Sequence, residues 1–387
     1  MRRLVLCGLL AVLAACTAGS TSPDLILLNG RVFTGDEGAP WAEAVAVRGE
    51  RIVAVGTSAE VEALATQGTR RIDVGGRTVV PGLNDAFARV PVRNGTPLTL
   101  RQLASEATRY GITSIQLASV GVPVARAVED AREAGNLVRW RLMRYPAPDA
   151  EGDTADSRPF LPPQPGPHID ARGMAWVFPG VPGYRDPNLG AEGLEQVVGW
   201  AYGSEDPLVV ATAGDDDARA LVGALERGGM AEVWRAKRPR IVAGAPLPLD
   251  LLPRAQALGL VVIYCPGRGA APIGPLVENG LTVALGSDGV MNPFLNVQRE
   301  AAAALPANAD VARARALLAY TRGSAAAEHA ERDKGMIATG MLADLAVLSG
   351  DPFEMEPVRL PTITSVLTIV GGEVVHDTGA LEPPAAP

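Results

Sequence analysis

Pro207-Leu208-Val209-Val210-Ala211-Thr212-Ala213-Gly214-Asp215-Asp216-Asp217-Ala218-Arg219-Ala220-Leu221-Val222-Gly223-Ala224-Leu225 holds the pattern that repeats through the middle of this 387-residue chain. A short apolar, β-branched run reads as a strand buried on both faces. Gly214 and three aspartates interrupt it, and helical spacing follows over 215–227. Working outward, the same alternation predicts strands at 78–83, 113–118, 138–143, 174–179, 239–243, 260–265 and 282–287. Helices are expected at 122–134, 191–202 and 247–257, then at 297–304 and 309–330. Eight strands alternating with helices predict an α/β chain built on a (β/α)8 TIM barrel, here spanning residues 81–335.

Both ends of the chain read differently. Residues 24–80 are short strands separated by turns, with one helical stretch near Ala59 to Thr66. Leu25-Ile26-Leu27-Leu28 meets Asn29-Gly30 and then Arg31-Val32-Phe33, a hairpin signal. A second turn is expected at Arg48-Gly49-Glu50, and Gly75-Gly76 separates Ile72-Asp73-Val74 from Thr78-Val79-Val80. The β pattern returns at Leu345-Ala346-Val347-Leu348 and closes with a hairpin around Gly371-Gly372. Residues 24–80 and 336–378 are therefore the β-rich ends of the chain. Residues 146–170 are a Pro-rich loop insertion, and 379–387 form a Pro/Ala-rich tail.

The first residues are not read as fold. Met1-Arg2-Arg3 precedes an apolar run from Leu4 to Ala15, too short to span a bilayer but suited to a signal peptide. Leu13-Ala14-Ala15-Cys16 resembles a bacterial lipobox, so residues 1–15 are expected to be cleaved and Cys16 acylated. A polar tether, 16–23, would join the lipid to the sandwich. Thr17 after the cysteine points to the periplasmic face of the outer membrane, with the lipid bilayer as the partner of Cys16. Of three cysteines only Cys265 then remains, so one mature chain forms no disulfide.

Composition limits function. The formal charge is −8 and aromatics make up 4%, which argues against nucleic acid as partner. Three histidines (His168, His329, His376) cannot build a four-histidine metal centre, and Lys237 and Lys334 are the only lysines.

Several segments are similar to the amidohydrolase superfamily. Thr78-Val79-Val80-Pro81-Gly82-Leu83-Asn84-Asp85-Ala86 looks like the entry to its first barrel strand. Leu285-Gly286-Ser287-Asp288-Gly289 looks like the end of its last. Tyr320 to Glu328 and Lys334 to Leu348 look like its return to a small composite β-sandwich beside the barrel, which the resemblance implies for residues 24–80 and 336–378. The resemblance implies hydrolysis of non-peptide C–N bonds by one or two divalent metals, zinc or another, which acidify a bound water. It also implies where the ligands would stand. The places of the family's two first-strand histidines hold Phe87 and Arg89, and the bridging lysine's place holds Ala175. Those of the fifth and sixth strands hold Ala211 and Ala243, leaving only the eighth-strand carboxylate, Asp288. The expectation is a barrel without a metal cofactor, binding an unknown small molecule or envelope protein. The alternative is a hydrolase of C–N bonds with an atypical or metal-free site using Asp288.

Two roles stand open for Asp288: a general base, or a carboxylate paired with Arg89. Asp215 and its two neighbours either bind a cation or stabilise a helix dipole. Cys265 is a candidate thiol nucleophile or a buried structural cysteine. Arg89, Arg240 and Arg268 are expected to approach one rim, where an anionic ligand would suit them.

Overall fold

The computed structural model describes residues 22–119, 124–144, 168–171, 173–181, 189, 193–265, 272–289, 291–303 and 308–381. Cys16, Arg268 and most of the 146–170 loop lie outside the described residues.

Eight parallel strands form the central sheet. In chain order they are Leu83–Ala88, Ile112–Ser119, Arg139–Arg144, Met174–Val177, Leu208–Thr212, Arg240–Ala243, Val261–Tyr264 and Thr282–Leu285, and they are paired in that order. The first and eighth approach each other where Asp288 N–H donates to Phe87 O at 3.0 Å, so the barrel is nearly closed. Strand interiors are apolar on both faces: Leu208, Val209, Val210, Ala211 and Thr212 are all buried. Such runs suit parallel sheets, whose outer face is covered by helices such as Leu100–Thr108, Val124–Ala134, Leu194–Gly203 and Asp215–Gly228.

Beside the barrel lie two further sheets. One orders Arg51–Gly56, Ala44–Arg48, Leu25–Leu28 and Arg70–Asp73. The other orders Glu373–Asp377, Ser365–Val370, Leu345–Leu348, Thr78–Pro81, Arg31–Phe33 and Trp41–Ala42. Leu345–Leu348 pairs antiparallel with Thr78–Pro81, which joins the two ends of the sequence in one sheet. Leu27, Val45, Val79, Val347 and Ile369 share the core between the sheets.

Four expectations are corrected. Residues 78–83 are not the first barrel strand. Thr78–Pro81 belongs to the sandwich, and the barrel starts at Leu83. The chain changes sheet at Gly82, where a Cβ would lie 2.2 Å from Thr113 Oγ1. Leu25–Leu28 and Arg31–Phe33 do not form a hairpin, because they lie in different sheets. Asn29, left-handed at φ 55°, carries the chain across the sandwich instead. The helix expected over 309–330 ends at Leu318, followed by a π turn (Ala319–Gly323) and a last turn (Ser324–Ala327). His329 accordingly sits in a left-handed turn, φ 60°, rather than in a helix.

Candidate functional site

In a parallel barrel every strand runs from one end, the floor, to the other, the mouth. Residues that end strands face the mouth, where this architecture carries its chemistry. Phe87, Ala211 and Ala243 occupy late positions of the first, fifth and sixth strands, Ala175 is the second residue of the fourth, and all four are buried. Arg89 follows the first strand and Asp288 the eighth.

Asp288 is held from three directions. Its N–H reaches Phe87 O, its Oδ1 accepts Arg89 Nε–H at 2.5 Å, and its own carbonyl accepts from Arg89 Nη2 at 3.4 Å. The backbone there is left-handed, φ 47°, a conformation that an aspartate tolerates better than most residues. Next to it, Gly286 leaves room for the first strand: a Cβ would lie 2.8 Å from both Phe87 N and Phe87 O. The side chain of Asp288 is 7% exposed and that of Arg89 25%, so the pair closes the seam between the first and last strands.

Below it lies a second carboxylate that the sequence reading passed over. Asp85 Oδ1 accepts Ser287 N–H at 2.9 Å and Phe87 N–H at 3.2 Å. Its Oδ2 is buried and, among the described residues, has no hydrogen-bond partner. Burial pushes this carboxyl up to about 6, against the lowering effect of the Ser287 and Phe87 hydrogen bonds. Tyr320 is also buried, its hydroxyl accepting from Asn296 Nδ2 at 2.7 Å, and burial raises it well above the usual phenol.

Among the described residues, those at the mouth do not fit a divalent metal. Phenylalanine and alanine side chains offer no donor atom, and Arg89 brings a fixed positive charge to the one carboxylate at the expected place. Among the described residues no group of three His, Cys, Asp or Glu is arranged to hold a metal ion. The histidines are elsewhere. His168 O accepts Trp140 N–H beside the start of the third strand, and His376 lies in the terminal hairpin.

The other candidates are dispersed. Asp215 is exposed in the first helical turn, while its neighbour Asp217 accepts Ala213 N–H at 2.8 Å, the geometry of a helix start. Cys265 is fully buried at the end of the seventh strand. Arg240 does not approach the mouth. It is the first residue of the sixth strand and therefore lies at the floor.

There it joins a buried polar network. Arg240 Nη1 donates to Gln116 Oε1 at 2.7 Å, and Gln116 Nε2 donates to Asn84 Oδ1 and to Ser324 O. Asn84 Nδ2 continues to Glu328 Oε1 at 2.6 Å. Glu328 is paired with Lys334 at 2.7 Å and with Arg141, and Lys334 donates to Ser114 Oγ. Burial opposes the charge on Glu328, but the Lys334 and Arg141 cations outweigh it and hold the carboxyl at about 2. Lys334, one of two lysines in the chain, thus serves the floor.

Two cavities accompany these ends. One of about 710 Å³ opens beside Arg89, between the helices Leu100–Thr108 and Val124–Ala134, and is walled by Val90, Val92, Leu98 and Leu117. Its lip is a small hairpin, Val92–Arg93 with Thr96–Pro97. The Asn94-Gly95 turn between them was a signal for it in the sequence. The other cavity, about 300 Å³, lies at the floor against Arg240, Arg141 and Lys237.

The profile of the amidohydrolase family matches residues 98–376, well over half of the chain. Protein LONG AFTER FAR-RED 3 of Arabidopsis thaliana is 40% identical over 67 residues, 17% of this chain and 12% of that protein. N-substituted formamide deformylase of Arthrobacter pascens is 42% identical over 74 residues, 19% of this chain and 14% of that protein. The chain therefore matches a small fraction of the length of either relative. A zinc-bound adenosine deaminase from Xanthomonas campestris superposes with a TM-score of 0.67 at 19% identity, covering 93% of this chain and 94% of that one, a likeness of fold. By its barrel, its composite sandwich and the extent of the profile match, the chain belongs to the amidohydrolase family, a family of hydrolases acting on C–N bonds.

Proposed function

We propose that this chain keeps the amidohydrolase barrel as a binding scaffold and is not a metal-dependent hydrolase. The observation that carries this reading is the Arg89–Asp288 ion pair at 2.5 Å. A guanidinium engages the one carboxylate at the expected metal position, and a cation there repels another. The ligand is a small molecule or an envelope protein segment entering beside Arg89, where the cavity of about 710 Å³ has the size of a small-molecule site. We further propose that Cys16 carries a lipid that tethers the domain to the bacterial envelope.

The test is metal content. Purified protein incubated with Zn²⁺ or Mn²⁺ and dialysed is expected to retain no stoichiometric metal. It is also expected not to turn over N-formyl amines, N-acyl amino acids or cyclic ureides. A metal held at one equivalent or more would end this reading. Metal-free turnover lost in Asp288→Ala would establish the alternative, a hydrolase that uses the carboxylate directly. For the anchor, Cys16→Ser is expected to leave the membrane fraction, and retention there would refute lipidation at that residue.

A further inference from the structure

The floor of the barrel holds a cation whose hydrogen-bonding capacity is largely unspent. Arg240 is 4% exposed, yet among the described residues no carboxylate lies within ion-pairing distance of it. Its one hydrogen bond there goes to a neutral acceptor, Gln116 Oε1. Gln116 cannot turn away, because its Nε2 is fixed by Asn84 and by the Ser324 carbonyl. Nη1 is therefore occupied, while Nε is buried with no partner. What remains is Nη2, which no hydrogen bond of the described residues occupies and which, unlike Nε, is not shut off from a ligand.

This residue lines the floor cavity of about 300 Å³, room for roughly ten water molecules by volume. Arg141 and Lys237 line it as well. The carboxylates around it are largely committed elsewhere. Glu328 is bound by Lys334 and Arg141, Asp206 is bound by Arg144 at 2.7 Å, and Asp170 lies 4.0 Å from Arg141, while Glu205 lines the cavity from an exposed position. With Lys334 and Arg144 included, five cations stand around the cavity against four carboxylates. Burial works against the charge on Arg240, pulling it down to about 10, still far above neutral pH. A buried, permanently charged fork without an anion is costly, and an anion of matching geometry relieves that cost.

We propose that the floor cavity binds one small oxyanion, a carboxylate or a phosphate, on the Arg240 guanidinium through Nη2, with Arg141 and Lys237 adding attraction. This site is at the opposite end of the barrel from Arg89 and Asp288 and is independent of what the mouth binds.

The experiment is thermal unfolding of the purified full chain during titration with sodium acetate and, separately, inorganic phosphate. Ionic strength is held constant with sodium chloride. The midpoint is expected to rise saturably with at least one of the two, and the anion that acts at lower concentration identifies the source. Arg240→Gln is expected to weaken that anion about tenfold or more, the loss of a charge-assisted contact. Arg89→Ala at the mouth is expected to leave it unchanged. If Arg240→Gln does not fold, Lys237→Ala decides: weaker anion binding supports the site, and unchanged binding overturns it. Absence of a saturable rise with both anions, or a rise that survives Arg240→Gln, also overturns it.

Discussion

The mouth and the floor of the same barrel are built from opposite materials. At the mouth, the strand ends present Phe87, Ala211 and Ala243, and the ion pair Arg89–Asp288 bridges the seam. At the floor, six polar side chains (Arg240, Gln116, Asn84, Glu328, Lys334 and Arg141) connect four strands to the returning C-terminal segment. The floor is where the sandwich and the barrel are held in register, and Arg139 adds a further buried pair there with Asp344 at 2.8 Å. The contrast teaches that the two ends answer to different demands. A floor network of mostly buried polar groups is costly wherever a member lacks a partner, and Arg240 is the member that falls short. A mouth without a metal needs only enough polar contact to close the last strand against the first.

The sharpest way to break this contrast is to open the floor. Glu328→Ala would leave Lys334 and Arg141 buried beside one another without their shared carboxylate, and is expected to destabilise the chain by about 3–5 kcal/mol. Denaturant unfolding measures this, and a loss below about 1 kcal/mol would mean the network is not a structural requirement.

Asp85 tests the mouth by pH. Its folded-state pKa of about 6 lies above the ordinary 3.8, so the folded state holds the proton more tightly than the unfolded chain. The stabilisation is therefore fully present below about pH 3.8 and is lost as pH rises through about 6. The size is roughly 3 kcal/mol at 1.36 kcal/mol per unit. Asp85→Asn is expected to remove this dependence and to exceed the native chain in stability at pH 8. Unfolding curves of both proteins between pH 4 and pH 8 check the sign, and parallel profiles would refute it.

A smaller effect is expected at Gly82, which lets the chain leave the sandwich for the barrel. Gly82→Ala forces a methyl against Thr113 and is expected to cost about 1–3 kcal/mol, read as a lower unfolding midpoint. The smallest change belongs to the mouth pair. Arg89→Ala is expected to cost about 1–2 kcal/mol, because Arg89 is a quarter exposed and water screens part of the interaction. It is not expected to create zinc retention, since Phe87, Ala175, Ala211 and Ala243 still offer no donor. Tight zinc binding by that variant would show that the ion pair alone had excluded the metal.

Much of the site was legible before the fold was known, and the rest was not for identifiable reasons. Phe87 and the three alanines are statements of side-chain chemistry, which sequence carries in full. Arg240 was misplaced because arginine at a strand says nothing about which end it serves. Its position as the first residue of its strand settles that, and strand boundaries are the least certain part of a periodicity argument. Asp85 drew no notice because an aspartate becomes unusual only when its oxygens are buried and one lacks a partner.

The sequence by itself determined the alternation of strands and helices and the β character of both ends. These are local properties, set by hydrophobic period, turn residues and side-chain type. Only the tertiary structure decided which sheet each short strand joins. It separated Leu25–Leu28 from Arg31–Phe33, sent Thr78–Pro81 to the sandwich, and paired Arg89 with Asp288 across 199 positions of sequence. Backbone pairing is chemically similar for every strand. The partner is therefore chosen by long-range packing, which no local window contains.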